Sequence, residues 1–333
     1  MNYNKLKDFH FWETLDRAIT KKRFSGKRRQ SLYPSEASCV IIDPNTNKAR
    51  IEGGCNRKSW YRIMGFQPTN PSTAKDMYTF EMGHLIEEMI TDLCKMAGIY
   101  NNNSIKFWEK TTSVSGEIDI VVEIPLSEDE IIFVEAKSTW GAMSKARDLF
   151  DHYKGRGKDK KFYKAKPKMG NLFQLIIYLF EHKDDPKVIG GKLVYFFKDN
   201  SMRTEFDVHL EYNSAADKHV VFVNGVAEKG YYAEGIYERY QELLGKLRED
   251  FALISTGKTK EDLIPPERDY EVEYSREKAE EEYLAGRLAK SKFDKYDKEK
   301  PGAWMCAYCA YANLCLGKDI SQLPEDLESE EAA

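Results

Sequence analysis

Apolar residues recur along this chain with two periods, and the change from one to the other marks its elements. Over AKDMYTFEMGHLIEEMITDLCKMAG (74–98), Met82, Leu85, Ile86, Met89, Ile90 and Leu93 return at steps of three and four, which predicts a helix ended by Gly98. NLFQLIIYLFEH (171–182) is strongly apolar and predicts a helix that is largely buried. Between these two lie the strand candidates SIKFWEK (104–110), GEIDIVVEI (116–124) and IIFVEAK (131–137). The connection PLSEDE is short and polar, so the last two strands are expected to pair as an antiparallel hairpin. KLVYFFKD and TEFDVHLEY read as further strands, and 232–255 and 273–290 as helical by pattern and charge. Asp43-Pro44-Asn45 signals the turn of a hairpin around DPNTNK. Residues 1–30 read as an arm with a short amphipathic helix, residues 321–333 as an acidic disordered tail, and no internal repeat occurs.

Composition narrows the class. The 333 residues are 41% hydrophobic and 13% aromatic, enough for a core, which excludes a wholly disordered chain. No run of about 18 apolar residues occurs, so no transmembrane helix is expected. The N-terminal residues MNYNKLKDFHFWETLDR contain no apolar signal segment, and a reducing cytoplasm, bacterial, archaeal or phage-infected, is the expected compartment. Net charge is −4, yet its distribution is uneven. KKRFSGKRR (21–29) holds six basic residues in nine, and 145–168 carries ten Lys or Arg against three Asp.

Chemistry concentrates first in the central hairpin. Period two puts Glu135 and Lys137 on one face of their strand, and a hairpin partner can bring Asp119 beside Glu135. Two carboxylates flanked by an ammonium suit hydrolysis of phosphodiesters: the acids hold Mg²⁺ or Mn²⁺, and Lys137 orients water or offsets developing negative charge. As an isolated pattern, D-x15-E-x-K reads as a solvated strand face. The nearly continuous apolar run of Ile118, Ile120, Val121 and Ile131 to Val134 shifts that balance, because charges at the end of buried strands need a partner such as a metal. His84, in Gly83-His84, is a further candidate metal neighbour.

The six cysteines, Cys39, Cys55, Cys94, Cys306, Cys309 and Cys315, are too few for a disulfide scaffold in a chain this long. The last three form C-x2-C-x5-C and supply three soft ligands; a fourth must come from afar. Cys55 is the choice, because Arg57 and Lys58 beside it would favour thiolate, with Cys39 as the alternative; Cys94 lies on the apolar helix face as a small core residue. Four thiolates suit zinc or an iron–sulfur cluster, and the asymmetric spacing favours the cluster. Either would clasp residues near 55 to residues near 310.

Taken in order, Cys55-Asn56-Arg57-Lys58, Gly83-His84, Gly116-Glu117-Ile118-Asp119, Glu135-Ala136-Lys137, Gln174 with Tyr178, and Cys306, Cys309 and Cys315 resemble the RecB-like branch of the PD-(D/E)XK nuclease superfamily. The likeness is greatest to the CRISPR-associated exonucleases of the fourth numbered Cas family and their phage relatives, and it covers about residues 32–318. It implies an α/β fold of restriction-endonuclease type, a mixed sheet flanked by helices, with a nuclease domain over 31–320. It also implies that His84, Asp119, Glu135 and the Ala136 carbonyl ligate a catalytic Mg²⁺ or Mn²⁺, with Lys137 as the catalytic lysine. Gln174 and Tyr178 match a QxxxY motif that contacts DNA and supports the site, and Cys55, Cys306, Cys309 and Cys315 match the ligands of a 4Fe–4S cluster. The chain departs from the pattern in its basic segment 145–168, in the long stretch between Tyr178 and Cys306, and in CNRK where the family more often has Cys-Pro-Arg-Lys.

The expected activity is metal-dependent DNA cleavage, exonucleolytic on single-stranded ends, with Lys158, Lys160, Lys161 and Lys164 guiding the strand. A catalytically inactive DNA-binding adaptor on the same fold is the alternative, and a zinc-stapled protein that binds no DNA is a third reading. Thr256-Gly257-Lys258-Thr259 lacks the glycine an ATP-binding loop needs at 252, where Ala252 stands, so any helicase partner would act in trans. No membrane partner is expected.

Overall fold

The chain is described from a computed structural model. It describes residues 15–17, 19, 31–70, 72–101, 105–109, 114–125, 127, 129–141, 147–154, 161–286, 288–298 and 300–317. The acidic tail and most of the basic arm lie outside these residues.

In chain order the elements are β1 (Ser38–Ile42), β2 (Ala49–Gly53), α1 (Asn56–Ile63), α2 (Ala74–Met96), β3 (Lys106–Glu109), β4 (Val114–Glu117), β5 (Ile120–Glu123) and β6 (Ile131–Thr139). They continue with β7 (His152–Lys154), β8 (Lys161–Tyr163), α3 (Met169–Glu181), β9 (Val188–Phe197), β10 (Arg203–Asn213), β11 (Lys218–Val223), β12 (Val226–Ala227) and α4 (Glu234–Ser255). The last helices are α5 (Arg276–Leu284), α6 (Lys290–Phe293), α7 (Trp304–Ala307) and α8 (Ala312–Leu316). Among the described residues no helix is long and apolar enough to cross a membrane. The chain divides into two compact units, Met1–Gly54 with Ala74–Glu249, and Cys55–Thr73 with Asp250–Ala333.

The first unit is built on a six-stranded mixed sheet in the order β12-β11-β10-β9-β6-β5. β5 and β6 form the expected antiparallel hairpin, β6 runs parallel to β9, and β9 to β12 continue as an antiparallel meander. The crossover from β6 to β9 contains α3, whose residues Leu172 to Leu179 are all buried. Successive residues of β6 point to opposite faces. Val134, Ile132 and Ala136 pack with Ile90 and Cys94 of α2 on one side, while Phe133 meets the ring of His182, which caps α3, at 5.2 Å on the other. The sheet is therefore covered by a helix on each face.

Three expectations change here. The stretch 116–124 is not one strand: β4 pairs with β3, β5 pairs with β6, and the chain bends between them at Ile118–Asp119. The apolar residues of α2 also divide. Ile86, Ile90 and Cys94 face the core, whereas Met82, Leu85, Met89 and Leu93 are exposed, because the sheet covers only part of the helix circumference. α5 is shorter than the pattern over 273–290 suggests, since Gly286 (φ 72°) ends it in the left-handed region. The turn at 43–48 forms as expected, with Asp43 Oδ1 accepting the N–H groups of Asn45 and Thr46.

In the second unit α1 is held by two buried polar contacts. Trp60 Nε1 donates to Asp250 Oδ2 at 2.7 Å, and the Asn56 N–H donates to Asp269 Oδ2 at 2.7 Å. Thr256 to Thr259 lie after the end of α4, with no strand before them, which agrees with the rejection of a phosphate loop.

Candidate catalytic site

β6 presents Glu135 and Lys137 two residues apart on one face, as the period requires. The β5–β6 register pairs Ile120 with Val134, so one step further brings Asp119 opposite Glu135. Asp119 arrives there from the bend before β5 and not from within a strand. The Ala136 N–H donates to Asp119 Oδ2 at 3.2 Å, which fixes the carboxylate across the end of the hairpin.

Glu135 is 0% exposed, and neither of its carboxylate oxygens has an aligned hydrogen-bond donor. The Lys137 ammonium forms an ion pair with Glu135 Oε1. Burial, then the Asp119 charge, raises the Glu135 acid well above its ordinary range, with Lys137 opposing. Burial raises Asp119 as well, against the pull of Lys137 and the Ala136 N–H. Lys137 itself is drawn down by burial but pushed up more strongly by Glu135 and Asp119, so it stays an ammonium. Two crowded acids beside one cation form a buried site that resists a second negative charge.

α2 closes over this end of the sheet. At Gly83 it comes close to β6: a Cβ there would meet Ser138 Oγ at ordinary contact distance, 3.5 Å. His84 follows it on the exposed side, and its charge acts on Asp119. Glu87, one turn further along α2, was not singled out from the sequence. Burial raises its acid, then Asp119 raises it further, with His84 and Lys137 opposing. The His84-x-x-Glu87 spacing on a helix face is the signal that could have found it.

Gln174 and Tyr178 sit on α3 beneath the site. Gln174 Nε2 donates to Tyr178 Oη at 3.0 Å, and Tyr178 Oη donates to the Glu117 carbonyl at 3.1 Å. Both side chains are buried, and the Phe107 ring meets Tyr178 edge-on at 5.7 Å. The pair thus holds the last residue of β4, just ahead of the bend that delivers Asp119. Burial raises the Tyr178 phenol, and the charges of Glu135, Asp119 and Glu87 raise it further.

The cysteines fall in two places. Cys39 is buried in the first unit, its Sγ 3.0 Å from where a Cβ on Gly235 would stand, and burial pushes its thiol up to about 12. Cys55, Cys306, Cys309 and Cys315 all belong to the second unit. Burial pushes Cys55 up to about 12, with the Cys315 and Cys309 charges also raising it. The cationic neighbourhood expected to favour thiolate at Cys55 is therefore outweighed by burial. Cys306 rises to about 11 through burial and through Cys309 and Cys315. Arg57 and Arg268 both act on Cys315 in the opposite sense. The two segments are tied by hydrogen bonds from the Thr69 and Asn70 N–H groups to the Ala310 carbonyl at 2.8 and 2.9 Å; within the C-terminal segment the Tyr311 N–H donates to Cys309 Sγ at 3.4 Å.

Among the described residues no three or more His, Cys, Asp or Glu side chains converge into a set that could enclose an ion. The chemistry of the donors still fits one at Glu135, whose buried carboxylate lies beside Asp119 and has the Lys137 ammonium on one oxygen.

Of the lysines expected to guide DNA, Lys164 is exposed, Lys161 lies in β8, and Lys158 and Lys160 lie outside the described residues.

No protein-family model and no curated protein matches this chain. A solved structure described as "Crystal structure of SSO0001" is similar at TM-score 0.39 and 12% identity, over 93% of this chain and 98% of that one, a level that fixes neither fold family nor chemistry.

Proposed function

We propose that this chain is a metal-dependent deoxyribonuclease of the PD-(D/E)XK type, RecB-like, acting on single-stranded ends. The observation that carries this reading is Glu135, a fully buried carboxylate with no aligned donor on either oxygen, placed beside Asp119 and Lys137. Keeping such a group ionised is costly without a cation to share it. Asp119, Glu135, the Ala136 carbonyl and His84 would hold Mg²⁺ or Mn²⁺. When bound, such an ion supplies a Lewis acid and a water of lowered pKa.

The chain's own groups do the rest. Lys137 stays charged beside the two acids and offsets the charge that gathers on a phosphate. Asp119 is held in place by the Ala136 N–H, and the bend that carries it is braced by Tyr178 through the Glu117 carbonyl. The basic segment 145–168 neutralises backbone phosphates on approach.

Cys55, Cys306, Cys309 and Cys315 would hold a 4Fe–4S cluster, which would fasten the 55–70 segment to the C-terminal segment. Their shared unit, the mutual influence of their thiols, the Tyr311 N–H on Cys309 sulfur and the nearby arginines support this reading.

The test is cleavage of end-labelled single-stranded DNA with Mn²⁺ or Mg²⁺ present and then chelated. Glu135→Ala and Lys137→Ala should abolish cleavage while leaving the fold and DNA binding in place; undiminished cleavage by both would remove the assignment.

A further inference from the structure

The basic stretch contains a built surface. β7 and β8 form a separate two-stranded ribbon in which Tyr153 opposes Phe162 and His152 opposes Tyr163. Opposed residues share a face and successive residues alternate, so the ribbon carries one aromatic pair on each side. The Tyr153 and Phe162 centroids are 5.1 Å apart, and the His152 and Tyr163 rings stack at 5.4 Å with 12° between planes. Three of the four rings are exposed, Tyr153 at 53%, Phe162 at 49% and Tyr163 at 42%, whereas His152 is half-buried.

The ribbon's stem leads to the catalytic end of β6. The Ala165 N–H donates to Asp151 Oδ1 and the Lys166 N–H to the Asp148 carbonyl, each at 2.7 Å. The Lys168 N–H donates to Tyr195 Oη at 3.1 Å, and Tyr195 is the ladder partner of Lys137. The chain leaving the ribbon is thus anchored at Lys168 to the strand that pairs with Lys137.

Exposed aromatic rings on a segment with ten basic and three acidic residues combine two recognition elements. The charge complements a polyanion, and the rings offer flat apolar faces. An unpaired nucleotide strand presents both complements, whereas a duplex keeps its base faces inside the stack. We infer that the β7–β8 ribbon is a base-stacking platform for single-stranded DNA, with bases on Tyr153 and Phe162 and phosphates along the stem toward Lys137. Only the direction of travel rests on the nuclease reading; the stacking itself does not.

The test uses the full chain in chelator, so that binding is read without cleavage. Fluorescence anisotropy on a labelled oligothymidine, alone and annealed to its complement, compares the parent with three variants. Tyr153→Ala with Phe162→Ala should weaken single-strand binding at least about tenfold, as loss of base–aromatic stacking does. Duplex binding should change less than about twofold, and the salt slope should be unchanged because every lysine remains. Tyr153→Leu with Phe162→Leu, which keeps apolar bulk without a π face, should lose as much, and Tyr153→Phe should match the parent. Single-strand affinity retained by the alanine pair, or restored by the leucine pair, overturns the proposal; the second outcome would mark the ribbon as an apolar protein-docking surface. A parallel cleavage assay separates the two readings. A parent that binds through its rings but never cuts refutes the nuclease and leaves the platform standing, and the converse result does the reverse.

Discussion

A carboxylate with no solvent exposure and no aligned donor gains from any cation that shares its charge, so Glu135 should report metal binding through stability. Mn²⁺ at about 100 times its Kd would stabilise the chain by about 2.7 kcal/mol. The thermal midpoint should rise with Mn²⁺ in the parent and stay fixed in Glu135→Gln. An equal rise in both would place the ion elsewhere. His182 gives a second residue-level prediction, in pH. Burial lowers its imidazole from the ordinary 6.5, Asp185 partly opposing, so the folded chain keeps it neutral where the unfolded chain charges it. The unfolded state then binds more protons, and stability falls as pH drops through about 6.5. His182→Phe should flatten that fall in urea melts at pH 5.5 to 7.5, conditions chosen around the imidazole range. An unchanged slope would assign the effect to other groups.

At the scale of elements, the bend between β4 and β5 is where sequence and structure part. Ile118, Ile120 and Val121 form an apolar run that reads as a single strand with Asp119 inside it. What breaks the strand is tertiary: Asp119 takes the Ala136 N–H, and Tyr178 takes the Glu117 carbonyl. Neither partner is near in sequence, so no local pattern could reveal the bend. Tyr178→Phe removes the hydroxyl from between Gln174 and Glu117 and should cost about 1–3 kcal/mol in urea unfolding. It should also lower kcat more than it raises KM, since the residue braces Asp119; an unchanged kcat would make it a packing residue only. The 74–98 helix was legible because its period is long, and the β5–β6 hairpin because two apolar runs flank a short polar connection. β11 was not singled out, because KHVVFV is short and lies between stronger signals. Glu87 was missed because one acid among several on a helix carries no mark until a sheet is laid beside it.

For the whole molecule, the two candidate centres lie in different units, the carboxylates in the first and the four cysteines in the second. Their order along the chain was legible; the grouping of 55–73 with the C-terminal quarter was legible only as the need for a remote fourth ligand. Cys55 is the choice over Cys39 on its basic neighbours, and the division of the chain agrees: Cys39 packs under Gly235 in the first unit, whereas Cys55 shares the second unit with C-x2-C-x5-C. Buried thiols near 11 and 12 are protonated at neutral pH, so an ion or cluster must displace their protons and its binding energy becomes folding energy. Protein purified without oxygen should contain iron and acid-labile sulfide, absent in Cys55→Ser and Cys309→Ala and retained in Cys39→Ala. Stoichiometric zinc without iron would replace the cluster with a zinc clasp.

The central claim is that Asp119, Glu135 and Lys137 cleave DNA. The most direct measurement follows an end-labelled single strand with the parent and Glu135→Gln, prepared in parallel, in Mn²⁺, in Mg²⁺ and in chelator. The account predicts cleavage by the parent in metal, none in chelator, and a loss of at least about a thousandfold in Glu135→Gln, the scale of removing a group that acts in the transition state. Equal cleavage by both proteins, or cleavage that survives chelation, would contradict it.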